Sequence, residues 1–196
     1  MSEPSAPPRI LAVAGSTRSD SYNKRLVRVA AAGAREAGAD VEVVDLRDFP
    51  LPIFDEDLER DHGMPPAGQR LKQLFRQADG FLIASPEYNS SITAVLKNAI
   101  DWVSRAAPGE PPLVGFTGKA VVLMSASPGA LGGLRGLVHL RSILGNIGVI
   151  VLPDQVAVPR AFEAFAPDGS LVDPKQHAAV TGLGTKLARF LEKHKG

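Results

Sequence analysis

The sequence predicts one doubly wound α/β domain, a five-stranded parallel sheet with helices on both faces. Three observations carry this reading. Five short apolar runs of strand length alternate with stretches of helical periodicity along the chain. The runs are continuous rather than alternating apolar and polar, which marks strands covered on both faces. Parallel neighbours need right-handed crossovers, and these place helices on each side of the sheet. A chain of 196 residues suits one such domain and can bury its core without disulfides or metal.

Taken in order, residues 1–8 hold three prolines and two serines and read as a disordered tail, leaving 9–196 as the single domain. Arg9–Ala14 is the first strand. It breaks at Gly15 into a loop rich in hydroxyl side chains, and Lys24 to Ala37 reads as a helix that stops at Gly38. Val41–Asp45 is the second strand. The stretch from Leu46 to about Pro66, rich in Pro, Asp and Glu, is too long for an ordinary connection and reads as an irregular functional or partner-contacting excursion. Leu71, Leu74, Phe75 and Ala78 mark a helix by their spacing, and Phe81–Ala84 is the third strand.

Beyond it, a polar turn from Ser85 to Ser91 leads into a helix with Ile92, Val95, Leu96, Ala99, Ile100 and Val103 on one stripe. Lys97 and Asp101 fall off that stripe at the spacing of a solvated ion pair. A Pro/Gly loop from Pro108 to Gly118 reaches the fourth strand, Ala120–Met124, followed by a third loop from Ser125 to Gly133. Leu134, Leu137, Val138 and Leu144 then give a helix, Val149–Leu152 the fifth strand, and Val180, Leu183, Leu187, Phe190 and Leu191 a closing amphipathic helix.

Composition narrows the function. Hydrophobic residues make up 44% and charged residues 22%, with a net charge of +1 spread along the chain. That balance offers no electrostatic footprint for nucleic acid or an anionic membrane, and no run approaches the roughly 20 apolar residues of a spanning helix. Zero cysteines exclude disulfides, thiolate metal sites and a cysteine nucleophile, and suit the cytoplasm.

The chemistry gathers at the loops after strands one, three and four. A helix N-terminus leaves backbone N–H groups unpaired and carries partial positive charge, so the first loop is built for an anion. Ser16, Thr17, Ser21 and Asn23 add side-chain donors there and Arg18 adds a full charge. The loop has neither the G-x-G-x-x-G spacing of a dinucleotide turn nor the G-x-x-x-x-G-K-[ST] of a triphosphate loop, which points to a phosphate monoester. Asp20 stands against this unless its carboxylate turns to solvent. In open parallel sheets ligands sit beyond the carboxyl ends of the strands, where all three loops would lie.

Gly15-Ser16-x-Arg18-x-x-Ser21-x-Asn23 resembles the phosphate loop of the NAD(P)H-dependent FMN reductases, a flavodoxin-like family that includes quinone, chromate and azo-dye reductases. Ser85-Pro86-Glu87-Tyr88-Asn89, continuing to Leu96-Lys97-Asn98-Ala99-Ile100-Asp101-Trp102, resembles the family's second signature, and Ser127-Pro128-Gly129-Ala130-x-Gly132-Gly133 its third. The resemblance implies a flavodoxin-like sheet of order 2-1-3-4-5. It implies that Ser16, Arg18, Ser21 and Asn23 hold the FMN phosphate, that Pro86, Glu87, Tyr88 and Asn89 line the isoalloxazine largely through backbone groups, and that Ser127 and Gly129 approach the ring from the far side. Thr93 stands where the family usually has proline.

The activity so implied is transfer of a hydride from NADPH or NADH to FMN and then to a small acceptor: a quinone, an azo compound, a metal oxyanion or free flavin. No side chain is assigned as a catalytic acid or base, and no metal is implied. A homodimer or homotetramer, with a neighbour helping to cover the flavin, belongs to the same resemblance. The alternative is a flavodoxin-type electron carrier that binds FMN without nicotinamide nucleotide turnover, but such carriers are typically strongly acidic and this chain is not.

Overall fold

A computed structural model describes residues 6–194. Five parallel strands form one sheet in the order β2-β1-β3-β4-β5, where β1 is Arg9–Ala14, β2 Asp40–Asp45, β3 Gly80–Ala84, β4 Ala120–Ala126 and β5 Ile150–Val158. The helices are α1 (Tyr22–Glu36), α2 (Glu56–His62), α3 (Pro66–Gln77), α4 (Ala94–Ser104), α5 (Leu134–Asn146) and α6 (Pro174–Lys193). Alternate residues of each central strand enter opposite cores. Ile10, Ala12, Leu82, Val122 and Met124 meet α1 and α6, while Leu11, Val13, Phe81, Ile83 and Leu123 meet α3, α4 and α5. Apolar residues on both faces explain why these strands read as unbroken hydrophobic runs.

On the first face α1 and α6 cross closely because glycines sit at the contact. A Cβ on Gly184 would stand 1.9 Å from the Ala30 carbonyl oxygen, and one on Gly33 would stand 2.2 Å from that of Thr181. Thr185 Oγ1 donates to the Gly33 carbonyl at 3.2 Å across the same gap.

Three features depart from the sequence reading. The excursion after β2 is not wholly irregular: a single 3-10 turn at Leu46–Asp48 is followed by α2, with Asp55 accepting from the N–H groups of Asp57 and Leu58 and Gly63 closing the C-terminus at φ 72°. Acidic residues in its first turn and basic residues in its last complement the helix dipole, so seven residues suffice. The excursion is also fastened down. Asn98 accepts from the Phe54 N–H at 2.8 Å and donates to the Pro52 carbonyl at 2.9 Å, and Trp102 Nε1 donates to the same carbonyl at 2.8 Å.

Secondly, β5 runs on to Val158 instead of stopping at Leu152. Pro153 ends the apolar pattern, but β5 is an edge strand and its register against β4 shifts between Val121 and Leu123, the kind of bulge where a missing N–H is tolerated. Thirdly, β4 continues through Ser125 and Ala126. As for the expected tail, residues 1–5 lie outside the described residues; Pro8 is buried and its carbonyl accepts from the Asp40 N–H at 2.9 Å.

Candidate flavin site at the carboxyl edge of the sheet

Register places the three polar loops side by side. Ala14 pairs with Ala84, and Ala84 with Met124, so β1, β3 and β4 release their loops at one level. The ladder continues past the strand ends, with Gly15 N–H donating to Ala84 O at 2.9 Å and Ser85 N–H to Met124 O at 2.9 Å. Neighbouring strands lie about 4.8 Å apart, so the first and third loops stand about 10 Å from each other with the second between them.

Side chains then tie the loops together in pairs. Thr93 joins the second to the first: its Oγ1 donates to the Gly15 carbonyl at 2.7 Å while accepting from the Leu96 N–H at 3.3 Å as the N-cap of α4. Asn23 joins the first to the third: Nδ2 donates to the Ala126 carbonyl at 2.8 Å and Oδ1 accepts from the Ala126 N–H at 2.9 Å. Glu87 joins the second to the third. Its carboxylate accepts from Arg135 at 2.6 and 2.9 Å and from the Gly136 N–H at 3.0 Å, capping the start of α5, where Gly133 has no side chain to do so. Burial pushes the Glu87 carboxyl up, but these donors outweigh it and hold the group below the usual carboxylate range.

Within the first loop, Ser16 is buried and its Oγ accepts from the Arg18 N–H at 3.2 Å. Ser21 is buried at the N-cap of α1, yet its side chain makes no cap hydrogen bond. Among the described residues the N–H groups of Ser21, Tyr22 and Asn23 have no partner either. A buried hydroxyl and free amides at one helix mouth fit a phosphate, which would supply the missing acceptors. Asp20, the residue that stood against an anion, has a side chain 88% exposed and turns its carboxylate toward Arg25 at 4.0 Å. Arg18 folds onto its own loop, donating to the Asp20 carbonyl at 2.5 Å with its guanidinium 5.0 Å from the Tyr22 ring centre. Tyr22 in turn stacks on Phe165 at 6.1 Å, so the segment after β5 backs the loop from behind.

Asn23 differs from expectation in one respect: both ends of its amide are committed to Ala126, so only its backbone N–H faces the mouth of α1. In the second loop Pro86 is buried, and Tyr88 and Ser91 exchange backbone hydrogen bonds of 2.9 and 3.0 Å around Asn89 and Ser90, both at positive φ. This is a tight hairpin turn of the kind that usually carries Asn-Gly, and it lifts the Tyr88 ring, 60% exposed, above the edge. In the third loop Ser127 Oγ accepts from the Gly129 N–H at 3.3 Å. Gly132 and Gly133 are forced by the protein itself, since a Cβ would come within 2.7 Å of the Val158 backbone or 2.9 Å of Ser125. At Gly129 a Cβ would meet only Ser127 Oγ, at an ordinary contact distance of 3.8 Å.

Sequence reading missed one residue of this site. Arg47, in the 3-10 turn after β2, donates through Nε to the Thr17 carbonyl at 2.9 Å and again through Nη2. Nothing in the local pattern around Leu46–Asp48 announces a contact to a residue 30 positions earlier.

Residues 8–163 match the family model described as NADPH-dependent FMN reductase. The chain is 39% identical over 189 residues to an NAD(P)H-dependent FMN reductase of Pseudomonas aeruginosa, covering 96% of this chain and 97% of that protein. It is 31% identical over 192 residues to a quinone reductase of Escherichia coli, covering 95% and 97%. Among solved structures it resembles FerB, a flavoenzyme NAD(P)H:(acceptor) oxidoreductase from Paracoccus denitrificans, with a TM-score of 0.80, 30% identity, and coverage of 95% of this chain and 98% of that one. With a match running from Pro8 past the end of β5, relatives aligned over nearly their whole length, and the three loops brought to one edge, the chain belongs to the NADPH-dependent FMN reductase family.

Proposed function

We propose that the protein is an FMN-dependent NAD(P)H oxidoreductase that reduces a small acceptor, with quinones first among the candidates because curated relatives carry that name. The observation that carries the reading is the uncapped mouth of α1, where the Ser21 hydroxyl and the amides of Ser21, Tyr22 and Asn23 await an acceptor. Ser16, Arg18 and Ser21, with the backbone of Asn23, hold the phosphate. The Ser16 hydroxyl already accepts from Arg18 N–H, so its own proton is free to donate. Arg18 reaches the phosphate by leaving the Asp20 carbonyl.

Pro86–Asn89 supplies one wall for the ring and Ser127–Gly129 the other. When bound, FMN supplies hydride acceptance from the nicotinamide and onward transfer to the acceptor. The chain contributes orientation and a rigid rim. Glu87 spends its charge on Arg135 and α5 and donates no proton, and no other side chain is needed as acid or base. No helix among the described residues is long and apolar enough to cross a membrane, and the cytoplasm is the proposed location. Tyr88, Leu131, Leu134 and Val138 expose apolar surface around the start of α5, the face proposed for a homodimer or homotetramer.

The visible spectrum of purified protein before and after adding FMN, followed by NADPH and NADH oxidation with a quinone, tests the proposal. Flavin uptake with acceptor-dependent oxidation of the nucleotide is expected. Uptake without turnover would leave a carrier, and no uptake would sink the reading.

A further inference from the structure

We infer that Arg47 is a positioning residue for the phosphate loop, acting through the peptide between Thr17 and Arg18. The inference rests on the cofactor reading above. A trans peptide is planar, with its carbonyl and N–H pointing opposite ways, so holding both ends fixes its rotation. Arg47 takes one end, donating from Nε and Nη2 to the Thr17 carbonyl. Ser16 takes the other, accepting the Arg18 N–H at its Oγ. With the oxygen accepting there, the Ser16 hydroxyl proton is not used by that bond and stays available to a phosphate.

Arg47 is itself held in place from below. Asp45, the last residue of β2, accepts the Arg47 N–H at Oδ1 (3.0 Å) and the Lys24 ammonium at Oδ2 (2.5 Å). Lys24 is buried in the first turn of α1, so the chain Lys24–Asp45–Arg47–Thr17 runs from the helix mouth, across the end of the sheet, and back to the loop. Burial pushes the Asp45 carboxyl up, but the Lys24 and Arg47 donors outweigh it and hold the group below the usual carboxylate range. The network offers the phosphate no side chain of its own. It sets where the Ser16 donor and the loop amides point.

Arg47 is exposed, so Arg47→Ala leaves both cores intact. Affinities of the apoprotein for FMN and for riboflavin, read by quenching of flavin fluorescence, separate a positioning role from a general structural one. The two ligands differ only in the phosphate. Arg47→Ala is expected to lower the preference for FMN over riboflavin about tenfold, the scale of one charge-assisted hydrogen bond, with riboflavin affinity unchanged. Arg47→Lys, which keeps the charge but not the fork, is expected to fall between wild type and alanine. An unchanged preference in Arg47→Ala, or a parallel loss for both flavins, would overturn the inference while leaving an FMN-selective wild type and its function standing. A wild-type protein that bound neither flavin would overturn the cofactor reading, and this one with it.

Discussion

Asn23 stands at the mouth of α1 with its side chain committed to the protein's own backbone. Its position at the mouth of α1 suits a phosphate donor, yet its amide closes a two-bond bridge to Ala126 across 103 residues of chain. Asn23→Ala would leave a buried N–H and a buried carbonyl without partners. We expect the apoprotein to lose about 2–4 kcal/mol in urea denaturation, before any flavin is added. A side chain that served the phosphate alone would leave the apoprotein unchanged. Glu87 makes a second residue-level prediction. Its folded pKa lies below the unfolded value because Arg135 and the Gly136 N–H favour the charged form over the opposing effect of burial. Its stabilisation is therefore complete above the ordinary carboxylate value of about 4.3, and is lost as pH falls through the lower folded value. Glu87→Gln should melt earlier than wild type at neutral pH, with the gap closing below about pH 4. A gap that persisted into acid would show that the carboxylate charge contributes nothing.

At the scale of elements, the α1–α6 pair rests on shape. Gly184 lies 1.9 Å from Ala30 O when given a Cβ, and that neighbour is helix backbone that cannot swing aside. Gly184→Ala should cost about 3 kcal/mol as the helices are pushed apart, measured by thermal or chemical denaturation. Equal stability would mean that the crossing is loose. The periodicity of α6 was plain from Val180, Leu183 and Leu187, whereas the closeness of its partner was not, because a glycine inside a helix looks the same whether or not another helix leans on it. The short α2 was hidden for a related reason: it buries none of its residues, so it has a cap at each end but no apolar stripe to read. Thr93 replaces a helix-starting proline with a hydroxyl that both caps α4 and holds Gly15, a substitution that adds a tie between loops.

For the whole molecule, the exposed apolar residues around the start of α5 bear on assembly. Leu134 and Val138 lie one turn apart on α5, with Leu131 just before it and Tyr88 on the turn that packs against it. Light scattering of wild type should give a mass of two or four chains, and Val138→Glu, a charge at the centre of the patch, should shift the population toward smaller species. A wild-type monomer at micromolar concentration would refute the assembly proposal. The same face adjoins the second loop, so a shift in assembly is also expected to change nucleotide turnover.

The sequence alone determined the class of sheet and the three polar loops that leave its carboxyl edge, because both are local. A strand buried on two faces must be apolar throughout, a helix on a sheet must carry a stripe, and a loop that meets an anion must carry donors at a helix start. What only the tertiary structure decided is how those loops hold one another. The bridges from Asn23 to Ala126, Thr93 to Gly15, Glu87 to α5 and Arg47 to Thr17 join residues 30 to 103 positions apart. Each depends on strand register and helix placement, which arise from the packing of the whole chain. A polar side chain at a strand's end looks alike in sequence whether it faces a ligand or its own backbone, and only the neighbours brought in by folding tell the two apart.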